Sequence, residues 1–130
     1  MNATVLTFDR LQPGMLVGHR HDRIEPTALT MWRTIYGGSG DLAVPAGFAA
    51  VLVMRAYLAI VSPRPPGNIH RALDVRAHHP LAVDLPLQSA VACTDKQIRN
   101  GRRYVQFTVT IHAPEGQLCV DGDIDMIWAA

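Results

Sequence analysis

The stretch from Pro45 to Val61, PAGFAAVLVMRAYLAIV, limits what this chain can fold into more than any other. It is long enough for about four helical turns, and its only charge is Arg55. A helix without a polar face has to be enclosed by other elements. Its length lies at the lower limit for a bilayer span, and a charge sits in its middle, so a transmembrane segment is disfavoured. Gly47, Ala49, Ala50, Ala56 and Ala59 would let strands or a second helix approach closely, while Phe48, Val51, Leu52, Met54 and Leu58 supply volume. The sequence therefore predicts the buried core helix of a soluble domain.

The remaining segments have to cover that helix. Met1 to Pro13, closed by the turn signal Pro13-Gly14, reads as an arm laid on the surface. Met15 to Ile24 alternates unevenly with polar groups on both sides, as an edge strand does. Glu25-Pro26-Thr27 starts a short amphipathic helix with Leu29, Trp32, Ile35 and Tyr36 at helical spacing, ended by Gly37-Gly38. After the core helix, Pro63, Pro65 and Pro66 force a rigid loop. The period then changes from 3.6 to 2. Ile69 to His78 alternates with Ile69, Leu73, Val75 and Ala77 on one face and His70, Asp74, Arg76 and His78 on the other. A strand from Leu87 to about Lys96 leads to the hairpin signal Asn100-Gly101. The return strand points Val105, Phe107, Val109 and Ile111 inward. The last strand sets Leu118, Val120, Ile124, Met126 and Trp128 against Cys119, Asp121, Asp123 and Asp125. These elements define an α+β fold, an antiparallel β-sheet wrapped around a long central helix, with residues 1–130 as one domain.

Twelve Lys and Arg against eleven Asp and Glu leave a formal charge of +1, which gives no global field for nucleic acid or an anionic membrane. Cys93 and Cys119 lie inside strands without zinc spacing, so they read as reduced core thiols; with no N-terminal signal sequence, the expected compartment is the cytoplasm. His19 and His21 share a strand face but lack a third ligand at suitable spacing, so no metal site is expected. His78 and His79 point to opposite sides of a strand end. Asp121, Asp123 and Asp125 form an acidic stripe whose expected partners are cross-strand Lys or Arg rather than calcium. Arg55 needs a partner on an enclosed helix; Asp41 and an outward position at a subunit interface are the candidates.

In their order along the chain, Leu11-Gln12-Pro13-Gly14-Met15, Ile24-Glu25-Pro26, Pro45-Ala46-Gly47-Phe48 and Arg76-Ala77-His78-His79-Pro80-Leu81 followed by Asp84 resemble the MaoC-like branch of the hot-dog fold. That branch holds the (R)-specific enoyl-CoA hydratases and acyl-carrier-protein dehydratases. Val83-Asp84 stands where the family has Gly-Asp. The resemblance implies a hydratase motif, Asp-x-Asn-Pro-x-His, whose carboxylate and imidazole converge on one water. Gly40-Asp41 occupies the right region, but position 46 is Ala and the Asn-Pro pair is missing.

The resemblance thus implies a hydratase/dehydratase-type acyl-thioester domain that lacks the standard dyad and acts as a non-catalytic or helper subunit. The alternatives are an active hydratase or thioesterase with atypical residues, or a non-enzymatic ligand-binding or assembly module. An active version would use Asp41 as base, a backbone N–H near Gly47 to hold the thioester oxygen, and His70 as second proton carrier. Lys96, Arg99, Arg102 and Arg103 around the hairpin could receive a phosphate of coenzyme A, and a solvated hairpin tip explains them equally well. No cofactor is implied; a coenzyme A or acyl-carrier thioester is the expected substrate. The expected partner is a second copy, in a homodimer, or a motif-bearing hot-dog subunit, in a heterodimer or heterotetramer.

Overall fold

A computed structural model describes residues 4–37 and 44–130. Its elements in chain order are β1 (Leu16–Asp22), α1 (Pro26–Tyr36), α2 (Phe48–Ile60), β2 (Ile69–Ala77), β3 (Leu87–Arg99), β4 (Arg102–His112) and β5 (Leu118–Trp128). The strands make one antiparallel sheet in the order β1-β3-β4-β5-β2, so β1 is an edge strand as its mixed polarity predicts. Helix α2 lies against one face and touches all five strands. The expected α+β architecture is the observed one.

Local sequence accounts for the centre of the sheet. Val105, Phe107, Val109 and Ile111 are buried on β4, and the residues between them are half-exposed, the period of two expected of a strand with one covered face. Asn100 and Gly101 both take positive φ, 52° and 75°, which a two-residue turn requires to match the twist of its strands. At Gly122 of β5 the helix comes so close that an added Cβ would lie 3.0 Å from Val53 Cγ1 and 3.3 Å from the Asp74 carbonyl oxygen. Gly122 is therefore, with Gly18 beside Ile60, a point of close approach between sheet and helix.

Four expectations are corrected. Helix α2 is covered on one side only: Phe48, Ala49, Leu52, Val53, Ala56 and Tyr57 are buried, whereas Val51 and Leu58 are 39% and 49% exposed. Its low polarity hides this sidedness, because both faces are apolar. Helix α1 buries Leu29 and half-buries Trp32, yet Ile35 and Tyr36 are exposed. The N-terminal arm is partly core: Leu11 and Phe8 are buried, and the Leu6 carbonyl accepts a 2.8 Å hydrogen bond from Trp128 Nε1. Register shifts break the alternation of two strands. One, between His70 and Ala72, inserts Arg71, so Ile69 pairs with Ile127 on the outer face and His70 pairs with Met126 on the helix side. The other, between Ile111 and His112, leaves Leu118 half-exposed and buries Cys119 completely. Cys93 and Cys119 are both buried free thiols, and burial raises the pKa of Cys93.

Candidate functional site

The turn Pro45-Ala46-Gly47 delivers the chain into α2. Its carbonyls accept hydrogen bonds from the first helical amides: Phe48 N–H to Pro45 at 3.0 Å, Ala49 N–H to Ala46 at 3.2 Å and Ala50 N–H to Gly47 at 3.3 Å. Three donors at the positive end of the helix are thus spent on the turn itself. Gly47 has an ordinary helical φ of −63°, so its backbone does not demand glycine. Space is tight instead: a Cβ there would sit 3.1 Å from Trp32 Cζ2, so the half-buried indole would have to shift slightly.

Beside this turn opens a cavity of about 320 Å³. Val44, Pro45, Ala46 and Ala49 line it from the turn and the start of α2, Ala77 and Val120 from the sheet, and His78, His79, Pro80 and Leu81 from the segment after β2. As their sequence positions predict, the two imidazoles do not pair with each other. His78 Nε2 lies 2.6 Å from Asp121 Oδ1, and His79 Nδ1 lies 3.0 Å from Gln117 Nε2. Asp121 in turn accepts from Arg76 Nη2 at 2.8 Å and Arg76 Nε at 3.1 Å, while Arg76 also reaches Asp123 at 3.2 Å and Asp74 at 3.1 Å. The Arg76 guanidinium, helped by His78, holds the Asp121 carboxyl below its usual range, and Asp121 raises the pKa of Arg76. The acidic stripe is therefore matched by a cross-strand arginine, as expected. Sequence reasoning did not assign the two histidines to this cavity; the signal available was their position at the end of β2, opposite the start of β5.

Among the described residues, the expected site residues do not converge within one chain. Asp41 lies outside the described residues. Gly47 is beside the cavity, whereas His70 pairs with Met126 near the far end of the sheet, exposed, with Nε2 3.1 Å from the Ala72 carbonyl oxygen. From Ala77 on the cavity wall back to His70 the strand covers roughly 23 Å, so His70 is corrected as a partner for Gly47. Arg99, Arg102 and Arg103 stand at that same far end: Arg99 stacks over Tyr104 at 4.4 Å, Arg103 Nη1 donates to the Ala129 carbonyl at 3.3 Å, and Arg102 pairs in register with Arg99. Lys96 is used internally, donating to the Phe8 carbonyl at 2.9 Å. Arg55 finds its carboxylate in Asp22, at 3.0 Å, and also donates to the Arg23 carbonyl at 3.2 Å.

Solved structures place this geometry. The MaoC-like dehydratase from Rhodospirillum rubrum superposes with a TM-score of 0.80 at 14% identity, covering 96% of this chain and 98% of that one. The unliganded R-hydratase PhaJ1 from Pseudomonas aeruginosa matches with a TM-score of 0.70 at 17% identity, over 94% and 84%. The C-terminally truncated HadBC (3R-hydroxyacyl-ACP dehydratase) complex from Mycobacterium tuberculosis matches with a TM-score of 0.72 at 13% identity, over 88% and 96%. The chain has the hot-dog fold. No protein-family model matches the sequence, and no curated protein matches it. In this hot-dog domain α2 is the central helix, and the cavity sits at its N-terminal end. Chemically that end offers an open, largely apolar pocket with two imidazoles in its lining. Ala46 contributes only a methyl group to the wall. Among the described residues no helix is long and apolar enough to cross a membrane.

Proposed function

We propose that this hot-dog domain is a MaoC-like hydratase/dehydratase-type acyl-thioester domain that serves as a non-catalytic helper subunit beside a motif-bearing copy. The observation that carries the reading is Ala46 on the cavity wall at the start of α2. Adding water across an enoyl thioester needs a carboxylate and an imidazole on one water; a methyl group at that position moves no proton. The cavity is otherwise suited to an acyl chain, since Pro45, Ala49, Leu81 and Val120 offer it apolar surface. The likeness in fold to a hydratase and to dehydratases, one of them a complex, supports the class and the pairing. The substrate is a coenzyme A or acyl-carrier thioester; Arg99, Arg102 and Arg103, at the other end of the sheet, are available for the phosphates of a thioester reacting on a second subunit rather than of one in this cavity.

The decisive assay is hydration of crotonyl-CoA and of a longer enoyl-CoA, by the chain alone and after addition of a hot-dog protein with an intact Asp-x-Asn-Pro-x-His motif. The helper reading expects no turnover alone and a changed rate or chain-length preference in the mixture. Turnover by the chain alone sinks it. A second reading, an active hydratase or thioesterase with atypical residues, draws on His78, whose Nε2 rests on Asp121 beside the cavity. Under it the lone chain is active and either His78→Ala or Asp41→Ala removes that activity.

A further inference from the structure

The arginines of the molecule fall into two kinds. Arg20, Arg23, Arg55 and Arg76 each have a carboxylate within ion-pair distance. Among the described residues, Arg10, Arg64, Arg71, Arg99, Arg102 and Arg103 have none; Arg64 and Arg103 donate to backbone carbonyls instead. Two of this second kind, Arg99 and Arg71, share one aromatic ring, 4.4 Å and 5.4 Å from the centroid of Tyr104. The position of Arg71 is a product of the register shift in β2, which inserts it as the extra residue beside β5. Two guanidiniums on one ring repel each other, and the ring quadrupole offsets that repulsion only in part. Such a pair leaves guanidinium donors able to receive a phosphate.

A cavity of about 140 Å³ opens at this place, lined by Arg71, Arg99 and Tyr104 together with Asp95, Gln106 and Asp125. The two carboxylates flank the next rung of the ladder, where Gln106 pairs with both Asp95 and Asp125, while Tyr104 pairs with Gln97 and Ile127 one rung nearer the hairpin. Asp125 already accepts a hydrogen bond from Gln106 Nε2 at 3.1 Å. A bare anion would face both carboxylates unfavourably. A ligand that carries a phosphate at one end and hydroxyl or amino donors at the other suits both rungs at once.

We propose that Arg71, Arg99 and Tyr104, with Asp95 and Asp125, form a binding site for a nucleoside phosphate on the outer face of the sheet. The guanidiniums hold the phosphate, and the carboxylates accept from ribose hydroxyls or a base amino group. The sheet stands between this site and the cavity at the start of α2, which lies at its other end and on the helix side. A ligand anchored on the outer face therefore extends its remaining length away from this chain's own cavity. That the nucleotide belongs to a coenzyme A thioester reacting on a second subunit rests on the helper reading above; the site itself does not.

The test is calorimetric titration of the intact chain with AMP, coenzyme A and inorganic phosphate, repeated on Arg71→Gln/Arg99→Gln and on the charge-preserving Arg71→Lys/Arg99→Lys, each checked for an unchanged melting temperature. AMP and coenzyme A are expected to bind, inorganic phosphate more weakly, and the Gln pair to weaken AMP by roughly tenfold or more. The Lys pair, which keeps charge but loses the planar fork, is expected to fall between, and it carries the test if the Gln pair fails to fold. No AMP binding by the wild type, unchanged binding by both double variants, or inorganic phosphate as tight as AMP overturns the site. AMP binding without coenzyme A binding upholds the site and removes its link to an acyl-thioester function.

Discussion

Strand β5 presents two different chemistries from consecutive residues. Toward α2 it turns Val120, Gly122, Ile124, Met126 and Trp128, all buried. Away from it stand Asp121, Asp123 and Asp125, half-exposed and held by Arg76, His78, Thr108 and Gln106. The inner face is governed by volume, since close packing leaves little room to relax. The outer face is governed by charge in contact with water, where single ion pairs contribute little. The inner face should therefore respond to size and be blind to pH, and the outer face the reverse.

Gly122→Val strikes the inner face where helix and sheet approach closely. Its Cβ would meet Val53 at 3.0 Å and the Asp74 carbonyl at 3.3 Å, so either α2 or β2 has to move. The expected loss is about 3 kcal/mol by urea denaturation, equal at pH 5 and pH 8. Gly122→Ala combined with Val53→Ala should recover part of the Gly122→Ala loss, and simple additivity in that cycle would show that the two residues do not limit each other.

How far the sequence foretold these two faces depends on the range of the signal. Alternation on β4, the Asn100-Gly101 turn and the pairing of the acidic stripe with a cross-strand basic residue were legible, because period and turn chemistry are local. The extra residue Arg71 was not, since only the partner strand reveals a register shift. Nor was the open side of α2: Val51 and Leu58 read like Leu52 and Val53, and only the position of the sheet separates them. At the candidate site, the start of α2 with Gly47 before it was legible from local turn and helix signals, whereas the distance of His70 from it was not, because strand β2 runs away from the cavity along the sheet. Arg55 was recognised as needing a partner, but its partner Asp22 comes from the edge strand β1, an element whose place against α2 the sequence does not disclose.

Asp121→Asn tests the outer face. It removes the charge that Arg76 and His78 share and leaves Arg76 with Asp123 and Asp74. The expected cost is about 1 to 2 kcal/mol at pH 7. Because Arg76 lowers the Asp121 pKa from 3.8 in the folded protein, the stabilisation is present above the unfolded value and is lost as pH falls through the folded one. The gap between wild type and variant should therefore begin to close as pH falls below about 4 and vanish only below the lowered folded value. A gap that stays constant down to acid pH would assign the effect to shape rather than charge.

Tyr57 breaks the division, since it brings a hydroxyl into the inner, apolar half. Its ring is 2% exposed and packs 5.5 Å from Phe107, and among the described residues its hydroxyl has no hydrogen-bond partner. Burial pushes its pKa from 10.0 up to about 12, against a smaller opposing pull from Arg64. Tyr57→Phe keeps the ring and removes the unpartnered oxygen, so it should stabilise the fold by about 1 kcal/mol or less at neutral pH. The sign at high pH follows from linkage. The folded hydroxyl keeps its proton above the unfolded value, so the wild type is fully stabilised below pH 10.0 and loses that contribution as pH rises toward about 12. The Phe variant has no such group to titrate, and its advantage over the wild type should widen across this alkaline range. A destabilised Tyr57→Phe would mean that the hydroxyl is satisfied by water inside the inner half. The two faces would then differ less in polarity than in how tightly they hold what they enclose.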